Sequence, residues 1–309
     1  MQILSRTQVI NKLLVVITGP TASGKTGVGV KLAKHYNSEV ISADSRQFYK
    51  EMQIGTARPL PEELDGVPHH FMGFLNIKEE FSAGRFAVEA QKKIDELFKI
   101  HDVVFIVGGS GFYIDALIYG MDDIPSIDKE IREQINNDLD RFGIVHLQEK
   151  VKLIDPELYK QIDVQNPKRL IRALEVYKQT GLPLSSFRKN IKRTPKIPTI
   201  FISLEHDRAD LYKRINNRVD TMIKSGLIDE ARSLYKQRHL NALQTVGYTE
   251  LFNHFDGLTD LDQAIELIKR NTRRYAKRQM TWLRKYSGLF LIPPEAIAEI
   301  KDLIKNYHK

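Results

Sequence analysis

The sequence predicts an α/β fold in which a P-loop-type parallel sheet is flanked by helices and interrupted by an all-helical insertion domain. Three observations lead to this prediction. Short runs that are apolar at every position alternate with longer amphipathic stretches in the first half of the chain, and a glycine-rich phosphate motif follows the first run. The apolar runs then stop near residue 121 and resume near residue 199. Strands that are apolar throughout are typical of a parallel sheet covered on both faces.

The predicted sheet elements are short, and the stretches between them have helical spacing. Helices are predicted over 27–36 and 83–98, because apolar side chains recur there at intervals of three and four residues. The predicted strands are 13–17, 40–42, 103–107, 199–203 and a final strand over 289–292.

The middle of the chain carries polar helical patterns and no strand signal. Helices are predicted over 128–141 and 167–180, the second of which ends at Gly181. A basic connector over 188–193 marks the far edge of this region. We therefore divide the chain into a first part of the core (1–121), a helical insertion domain (122–189) and a last part (190–309) that completes the core and adds basic C-terminal helices.

Composition excludes several classes of function. The 309 residues include no cysteine, so disulfides, thiolate catalysis and Cys-ligated zinc are ruled out. Lys and Arg outnumber Asp and Glu by 47 to 39, and this surplus fits a polyanionic partner. Apolar runs are too short for a membrane span or a signal peptide. We expect a cytoplasmic protein, and a monomer because nothing indicates an obligate interface.

The strongest motif is a phosphate-binding loop between the first predicted strand and the first predicted helix. It matches G-x-x-x-x-G-K-S/T, which is typical of ATP-binding and other nucleotide-binding proteins. In this geometry backbone N–H groups and the positive helix end converge on phosphate oxygens, Lys25 adds a charge, and the Thr26 hydroxyl can complete a Mg²⁺ shell. The motif residues are Gly19, Pro20, Thr21, Ala22, Ser23, Gly24, Lys25 and Thr26.

A single carboxylate is the best catalytic candidate. A nucleotide hydrolase would carry an acidic residue after an apolar strand to hold Mg²⁺, but the strand over 103–107 is followed by glycines and Ser110. Asp44 instead follows the second strand, where ligands of open parallel sheets bind. Asp44 could ligate metal or accept a proton from a nucleophile. The alternative is an Asp that caps the next turn.

Seven segments in order along the chain resemble the bacterial tRNA dimethylallyltransferases, the MiaA family. The resemblance implies transfer of a dimethylallyl group from dimethylallyl diphosphate to N6 of an adenosine. That adenosine lies immediately 3′ of the anticodon in tRNAs that read codons beginning with U. The segments are 19–26, 42–49, 54–57, 107–113, 165–175, 245–248 and 277–284.

The resemblance also implies roles for individual residues at the reacting centre. The diphosphate lies in the loop 19–26 and becomes the leaving group, stabilised by Lys25, Mg²⁺ and an arginine. Asp44 accepts or orients the proton of the attacking amine, and Ser110 lies near the substrate. Either Arg214 or Arg218 holds the diphosphate, and the sequence leaves both open.

The tRNA contacts implied by the resemblance lie on the core and on the insertion domain, which in this family closes over the anticodon arm. The target base has to be flipped out of its stack. The predicted tRNA-contacting residues are Asp44, Ser45, Arg46, Gln47, Ser110, Arg132, Lys168, Arg169, Leu170, Ile171, Arg172, Gly247, Tyr248, Lys277 and Arg278.

One basic feature is independent of the resemblance. Pairs of cations recur every four residues near the C-terminus, which places them along one side of a helix. Such a stripe suits RNA phosphates, and the alternative is a solvated helix face. The pairs are Lys269 and Arg270, Arg273 and Arg274, and Lys277 and Arg278.

Three other functions compete with this interpretation. A P-loop small-molecule or nucleotide kinase shares the loop, the sheet and a helical lid. An adenylate isopentenyltransferase would prenylate free AMP in place of tRNA. A noncatalytic GTPase-like RNA-binding module would need a guanine-reading motif, which the sequence lacks.

Overall fold

The computed structural model describes residues 12–188 and 194–308. The chain forms two compact units. The core unit consists of Met1–Gly120 and Pro195–Lys309, and the helical unit consists of Met121–Thr194. The helical unit thus begins one residue before the insertion domain placed by the sequence and ends five residues after it. Apart from Arg188, the basic connector predicted over 188–193 lies outside the described residues.

The core unit is built on a parallel sheet, as the sequence predicted. Across the described part of the chain the sheet has six strands in the order β3-β2-β4-β1-β5-β6, and every pairing between them is parallel. The sequence missed β3, because two residues are too few to show a pattern. The strands are β1 (Leu13–Thr18), β2 (Val40–Ser42), β3 (His69–His70), β4 (Val103–Val107), β5 (Thr199–Leu204) and β6 (Leu289–Ile292).

The remaining regular elements of both units are helices. In the core unit they are α1 (Lys25–His35), α2 (Pro61–Leu64), α3 (Ala83–Leu97), α4 (Gly111–Tyr119), α9 (Arg208–Lys224), α10 (Leu227–Leu234), α11 (Tyr248–Phe255), α12 (Leu261–Leu283) and α13 (Ile297–Tyr307). In the helical unit they are α5 (Lys129–Ile154), α6 (Pro156–Gln161), α7 (Pro167–Thr180) and α8 (Leu184–Phe187). None of the helices within 12–188 and 194–308 is long and apolar enough to cross a membrane.

The sheet is covered on both faces, which explains why its strands are apolar at every position. On β1, Val16 packs into one hydrophobic cluster with Phe86 and Ile94 of α3. Its neighbour Val15 points to the opposite face and packs with Leu32 of α1. Because successive side chains of a strand face opposite ways, burial on both faces demands an unbroken apolar run.

The helical unit has a hydrophobic core of its own. Leu147 and Val151 of α5 pack there with Leu170 and Ala173 of α7. Gly143 interrupts α5 with a φ of +77°. Few other residues adopt this conformation cheaply, so the glycine marks a break within one continuous helical stretch. This break explains why the sequence pattern predicted a helix ending at 141.

Candidate active site

The loops after β1, β2 and β4 meet at one edge of the sheet. These strands are neighbours in the order β2-β4-β1 and run parallel, so their carboxyl ends lie side by side. The backbones approach closely: a Cβ on Gly108, after β4, would lie 2.2 Å from the carbonyl oxygen of Ala43, after β2. Ser110 bridges the same gap, because its Oγ accepts a hydrogen bond from the backbone N–H of Ser45 at 2.9 Å.

The phosphate loop joins β1 to α1. Gly19 and Gly24 have φ values of +137° and +88°, which favour glycine, and α1 begins directly after them at Lys25. The loop is tied together by its own lysine. The Lys25 Nζ donates hydrogen bonds to the carbonyl oxygens of Gly19 (3.1 Å) and Pro20 (2.7 Å).

Two cavities open at this edge of the sheet. The phosphate cavity, of about 220 Å³, has walls that include Lys25, Thr26 and Gln279. The outer cavity, of about 480 Å³, has walls that include Thr245, Gly247 and Arg278. Six residues line both cavities, so the two adjoin at these shared walls. The shared residues are Thr21, Asp44, Thr56, Ala57, Arg218 and Tyr275.

The two arginines that the sequence left open occupy different places. Arg218 lines both cavities, and its Nη1 donates a hydrogen bond to the Thr21 hydroxyl at 3.2 Å. Burial lowers the pKa of its guanidinium, while nearby Asp44 opposes that shift. Arg214 is exposed on the outside of the phosphate loop, where its Nε donates to the carbonyl oxygen of Ala22 at 2.9 Å. Arg218 is therefore the arginine that faces the interior of the site.

Burial also perturbs Lys25, the lysine of the phosphate loop. Burial, followed by the charge of Arg218, lowers the pKa of its ammonium group from 10.5 to about 7, and Asp44 acts in the opposite direction. Lys25 is consequently poised between its two forms near neutral pH. A negative ligand in the phosphate cavity favours the ammonium form and so raises this pKa.

We expect diphosphate binding to draw a proton onto Lys25 above pH 7. With a pKa of about 7 in the protein alone and a higher value in the complex, pyrophosphate affinity of the wild type should fall up to about tenfold per pH unit above 7. In Lys25→Met this component is missing. Titration calorimetry from pH 6.5 to 8.5 gives the slope of pyrophosphate affinity against pH for each protein. Ionisation of pyrophosphate contributes equally to both slopes, so the difference between them reports Lys25. Equal slopes would contradict the prediction.

The segment after Asp44 supports the walls of the cavities. Arg46 donates through Nη1 to the carbonyl oxygens of Asn241 (2.9 Å) and Ala242 (3.1 Å). The Gln47 amide donates to the carbonyl oxygens of Thr56 (3.1 Å) and Ala57 (3.2 Å). Both side chains were predicted to contact tRNA, and in the structure each fixes a loop that lines a cavity.

The structure corrects the role predicted for Tyr248. Its side chain is fully buried, and its hydroxyl donates to Glu230 at 2.7 Å. Glu230 also accepts hydrogen bonds from the backbone N–H groups of residues 53–55. The ring occupies the space that a side chain on Gly55 would need, since a Cβ there would lie 2.6 Å from it. Tyr248 therefore packs in the core behind residues 54–57 and stabilises their position. Its side chain does not face RNA.

The helical unit also requires a correction among the predicted tRNA contacts. Lys168 and Arg169 are exposed at the start of α7, whereas Leu170 is fully buried in the core of the unit. Ile171 is partly buried against that core. The Leu170 side chain thus serves packing, because a residue inside the core cannot reach a ligand on the surface.

Two predicted RNA-binding arginines of this unit bind a carboxylate of their own chain. Arg132 Nε lies 2.8 Å and Arg172 Nη1 lies 3.3 Å from the oxygens of Glu175, which is almost completely buried. A buried carboxylate needs such partners. The Arg132 contact joins α5 to α7, whereas Arg172 binds Glu175 within α7. Their guanidinium groups remain partly exposed.

The basic stripe of α12 has two sides. Lys269 and Arg273 turn toward α9, where they bind Asp220 (2.8 Å) and Asn216 (2.6 Å). The exposed cations of the stripe are Arg270, Arg274, Lys277 and Arg278. Two of the six predicted cations thus contact α9, and the other four present positive charge to the surroundings.

Two side chains of α12 that were not among the predicted site residues reach the site. Tyr275 lines both cavities beside Asp44, and burial, with the charge of Asp44 next, raises the pKa of its hydroxyl to about 12. Gln279 lines the phosphate cavity. Together with Trp282 these residues recur at intervals of four and three, so they form one face of the helix. That spacing was readable in the sequence but was obscured by the cations between these positions.

Comparisons with known proteins agree with this geometry. Residues 47–286 match the family model of the IPP transferases. A tRNA dimethylallyltransferase of Christiangramia forsetii is 53% identical over 276 residues, which is 89% of this chain and 91% of that protein. One from Cytophaga hutchinsonii is 48% identical over 296 residues, or 96% and 97% of the two chains.

Solved structures give the same result at the level of the fold. The tRNA isopentenylpyrophosphate transferase of Bacillus halodurans has a TM-score of 0.72 at 39% identity, with 96% of this chain and 97% of that chain covered. A eukaryotic dimethylallyltransferase acting on tRNA has a TM-score of 0.80 at 28% identity, with 96% and 80% covered. From the matched family model and the relatives that cover nearly its whole length, this chain belongs to the IPP transferase family.

Proposed function

We propose that this chain is a tRNA dimethylallyltransferase that transfers the five-carbon group of dimethylallyl diphosphate to an adenosine of tRNA and releases diphosphate. The acceptor is N6 of the adenosine that follows the anticodon in tRNAs reading codons beginning with U. The observation that carries the proposal is the junction of the phosphate cavity and the outer cavity at Asp44. It is supported by relatives that are named for this activity. We also propose that the enzyme acts in the cytoplasm as a monomer.

The phosphate cavity is suited to the leaving group. Lys25, Arg218 and the N-terminus of α1 converge there, and together they oppose the negative charge that develops as the carbon–oxygen bond to diphosphate breaks. Because the donors are fixed by the loop before the reaction, they need little reorganisation in the transition state. The adjoining outer cavity gives the acceptor its approach to the carbon that the diphosphate leaves.

Asp44 stands where the acceptor amine and the dimethylallyl group have to meet. The new bond joins C1 of the dimethylallyl group to N6, and the proton that N6 loses passes to the Asp44 carboxylate or to water that it orients. Asp44 Oδ1 accepts a hydrogen bond from the backbone N–H of Arg46 at 3.1 Å, which fixes its direction. Ser110 links the neighbouring loops through Ser45 and keeps this wall in place.

The outer cavity is suited to a base taken out of its stack. An adenine stacked in the anticodon arm does not expose N6 to a carboxylate on a cavity wall, so the nucleotide is flipped into the cavity. The exposed cations of α12 supply phosphate contacts around the entrance, which contribute affinity that falls with salt. Lys168 and Arg169 offer further charge on the helical unit.

We propose Mg²⁺ as the metal of the reaction. The site offers hard oxygen donors, the Thr26 hydroxyl and the Asp44 carboxylate, on the walls of one cavity. No cluster of three or more His, Cys, Asp or Glu side chains fit for a metal occurs within 12–188 and 194–308. This suits Mg²⁺, which is commonly held by one or two protein oxygens together with substrate phosphates. When bound, the ion neutralises charge on the leaving diphosphate.

The relatives argue against the competing functions. The curated relatives and the solved neighbours are tRNA-modifying transferases, and none of those cited is a kinase. The four exposed cations of the α12 stripe also have no use in an enzyme whose acceptor is free AMP.

A labelling experiment tests the assignment. The protein is incubated with Mg²⁺, radiolabelled dimethylallyl diphosphate and either unmodified tRNA or AMP. We expect label in tRNA, at the adenosine that follows the anticodon, and none in AMP. Label in AMP alone would support an adenylate isopentenyltransferase, and consumption of ATP without label in either acceptor would support a kinase.

A further inference from the structure

Gln279 of α12 is a buried side chain that joins two loops of the site. It is only 7% exposed, and it uses both ends of its amide group. Its Oε1 accepts a hydrogen bond from the backbone N–H of Thr21 at 2.8 Å, and its Nε2 donates to the carbonyl oxygen of Gly109 at 3.0 Å. The side chain thus ties the phosphate loop after β1 to the loop after β4.

The contact with the second loop leaves no room for another side chain. A Cβ on Gly109 would lie 2.3 Å from Gln279 Nε2. Two residues on, a Cβ on Gly111 would lie 2.2 Å from the ring of Trp282, which is on the same helix. Both glycines therefore let α12 approach the carboxyl end of β4 closely enough for Gln279 to pass to the phosphate loop.

In the phosphate loop, Gln279 contacts Thr21, which is also the residue that binds Arg218. The Thr21 hydroxyl accepts the hydrogen bond from Arg218, and the next residue, Ala22, has the left-handed φ of +65°. The Thr21 N–H donates to Gln279 Oε1, so this side chain fixes its direction. Gln279 consequently sets the orientation of the Thr21 peptide at a strained turn, and with it the hydroxyl that places Arg218.

We propose that Gln279 is a positioning residue for group transfer, which fixes Thr21 and, through it, the arginine that faces the diphosphate. This inference rests on the proposed function. Gln279 follows Arg278, which is exposed on the same helix, and its own side chain is buried against the phosphate loop. One helix therefore carries both the basic surface and the buried support of the diphosphate site.

The first test replaces Gln279 with methionine, which has a similar length but cannot form either hydrogen bond. We expect kcat/KM for dimethylallyl diphosphate to fall at least about tenfold, because two buried polar groups lose their partner beside the reacting centre. The Kd for tRNA should stay within about twofold, since the exposed cations are unchanged. Gln91→Met is the matched control, because Gln91 contacts only exposed Asp95 on α3 among its described hydrogen bonds.

A second variant separates positioning from a general loss of structure. In Gln279→Glu, the protonated carboxyl group can still accept from Thr21 and donate to Gly109, whereas the ionised group turns a second acceptor toward the Gly109 carbonyl. Its kcat/KM relative to the wild type should therefore rise at least about threefold as the pH falls from 8 to 6. Circular dichroism at pH 8 and pH 6 checks that the variant is folded at both, because protonation of a buried carboxyl group also restores stability.

Pyrophosphate binding is measured by calorimetry alongside turnover. This readout needs no acceptor, so the inference is tested even if the assignment to tRNA is wrong. We expect Gln279→Met to bind pyrophosphate more weakly than Gln91→Met, with a circular dichroism spectrum like that of the wild type. The proposal is overturned if Gln279→Met keeps wild-type kcat/KM and pyrophosphate affinity. It is also overturned if tRNA affinity falls as much as pyrophosphate affinity, or if the activity of Gln279→Glu relative to the wild type does not change with pH.

Discussion

Asp44→Ala is expected to lower kcat by about 10²- to 10⁴-fold, the range for loss of a group that accepts a proton in the transition state. Pyrophosphate affinity should not weaken by more than about threefold, because the variant removes a negative charge beside an anion site. Single-turnover transfer to unmodified tRNA measures the first quantity, and calorimetry with pyrophosphate in the absence of Mg²⁺ measures the second. We expect kcat and pyrophosphate affinity to respond differently because of where Asp44 lies. It lines the junction of the cavities and is not part of the phosphate loop.

Asp44→Asn distinguishes proton acceptance from orientation. The amide keeps the size of the side chain and can still accept the hydrogen bond from the Arg46 N–H, but it cannot take a proton. We expect a loss similar to that of Asp44→Ala. Asp95→Asn is the control, because this exposed carboxylate of α3 lies outside both cavities. Near-wild-type turnover of Asp44→Asn would remove Asp44 as the proton acceptor and leave it an orienting role.

The parts of the site that could be predicted from the sequence are those with local rules. The phosphate loop needs glycines at fixed positions and a helix that follows, so eight consecutive residues were enough to place it. The position of Asp44 could be predicted because the apolar residues before it show where the buried strand ends. The division between sheet and insertion also follows from a change in periodicity.

The parts that could not be predicted depend on contacts between distant residues. Glu230 supports the loop 53–55 from more than 170 positions away in sequence, and Gln279 reaches Thr21 across 258 positions. No local pattern reports such a partner. Tyr248 was assigned to RNA because it belongs to a motif, although its ring is buried in the core. Its burial also depends on contacts that the local sequence does not show. A motif indicates that a residue matters and does not show what it touches.

Arg218→Ala should weaken pyrophosphate binding by about 30- to 100-fold, which corresponds to the loss of one strong charge-assisted interaction. Arg214→Ala should change it by less than about threefold, because an exposed cation outside the cavity is screened by water. Both residues are on α9 one turn apart, so each serves as the control for the other. Calorimetry with Mg²⁺ and pyrophosphate, after circular dichroism has confirmed folding, measures the two affinities.

The physical reason for the difference is the direction of each guanidinium group. Arg218 is held inside the site by the Thr21 hydroxyl, and burial lowers its pKa, so its charge is poorly compensated until a negative ligand arrives. Arg214 is bound to a carbonyl oxygen on the outer side of the loop and is already solvated. Arg218→Lys should recover only part of the affinity, because an ammonium group cannot reach the Thr21 hydroxyl and the diphosphate as a planar fork can. A larger loss in Arg214→Ala than in Arg218→Ala would mean that the phosphate loop rearranges around its ligand and draws the outer arginine inward.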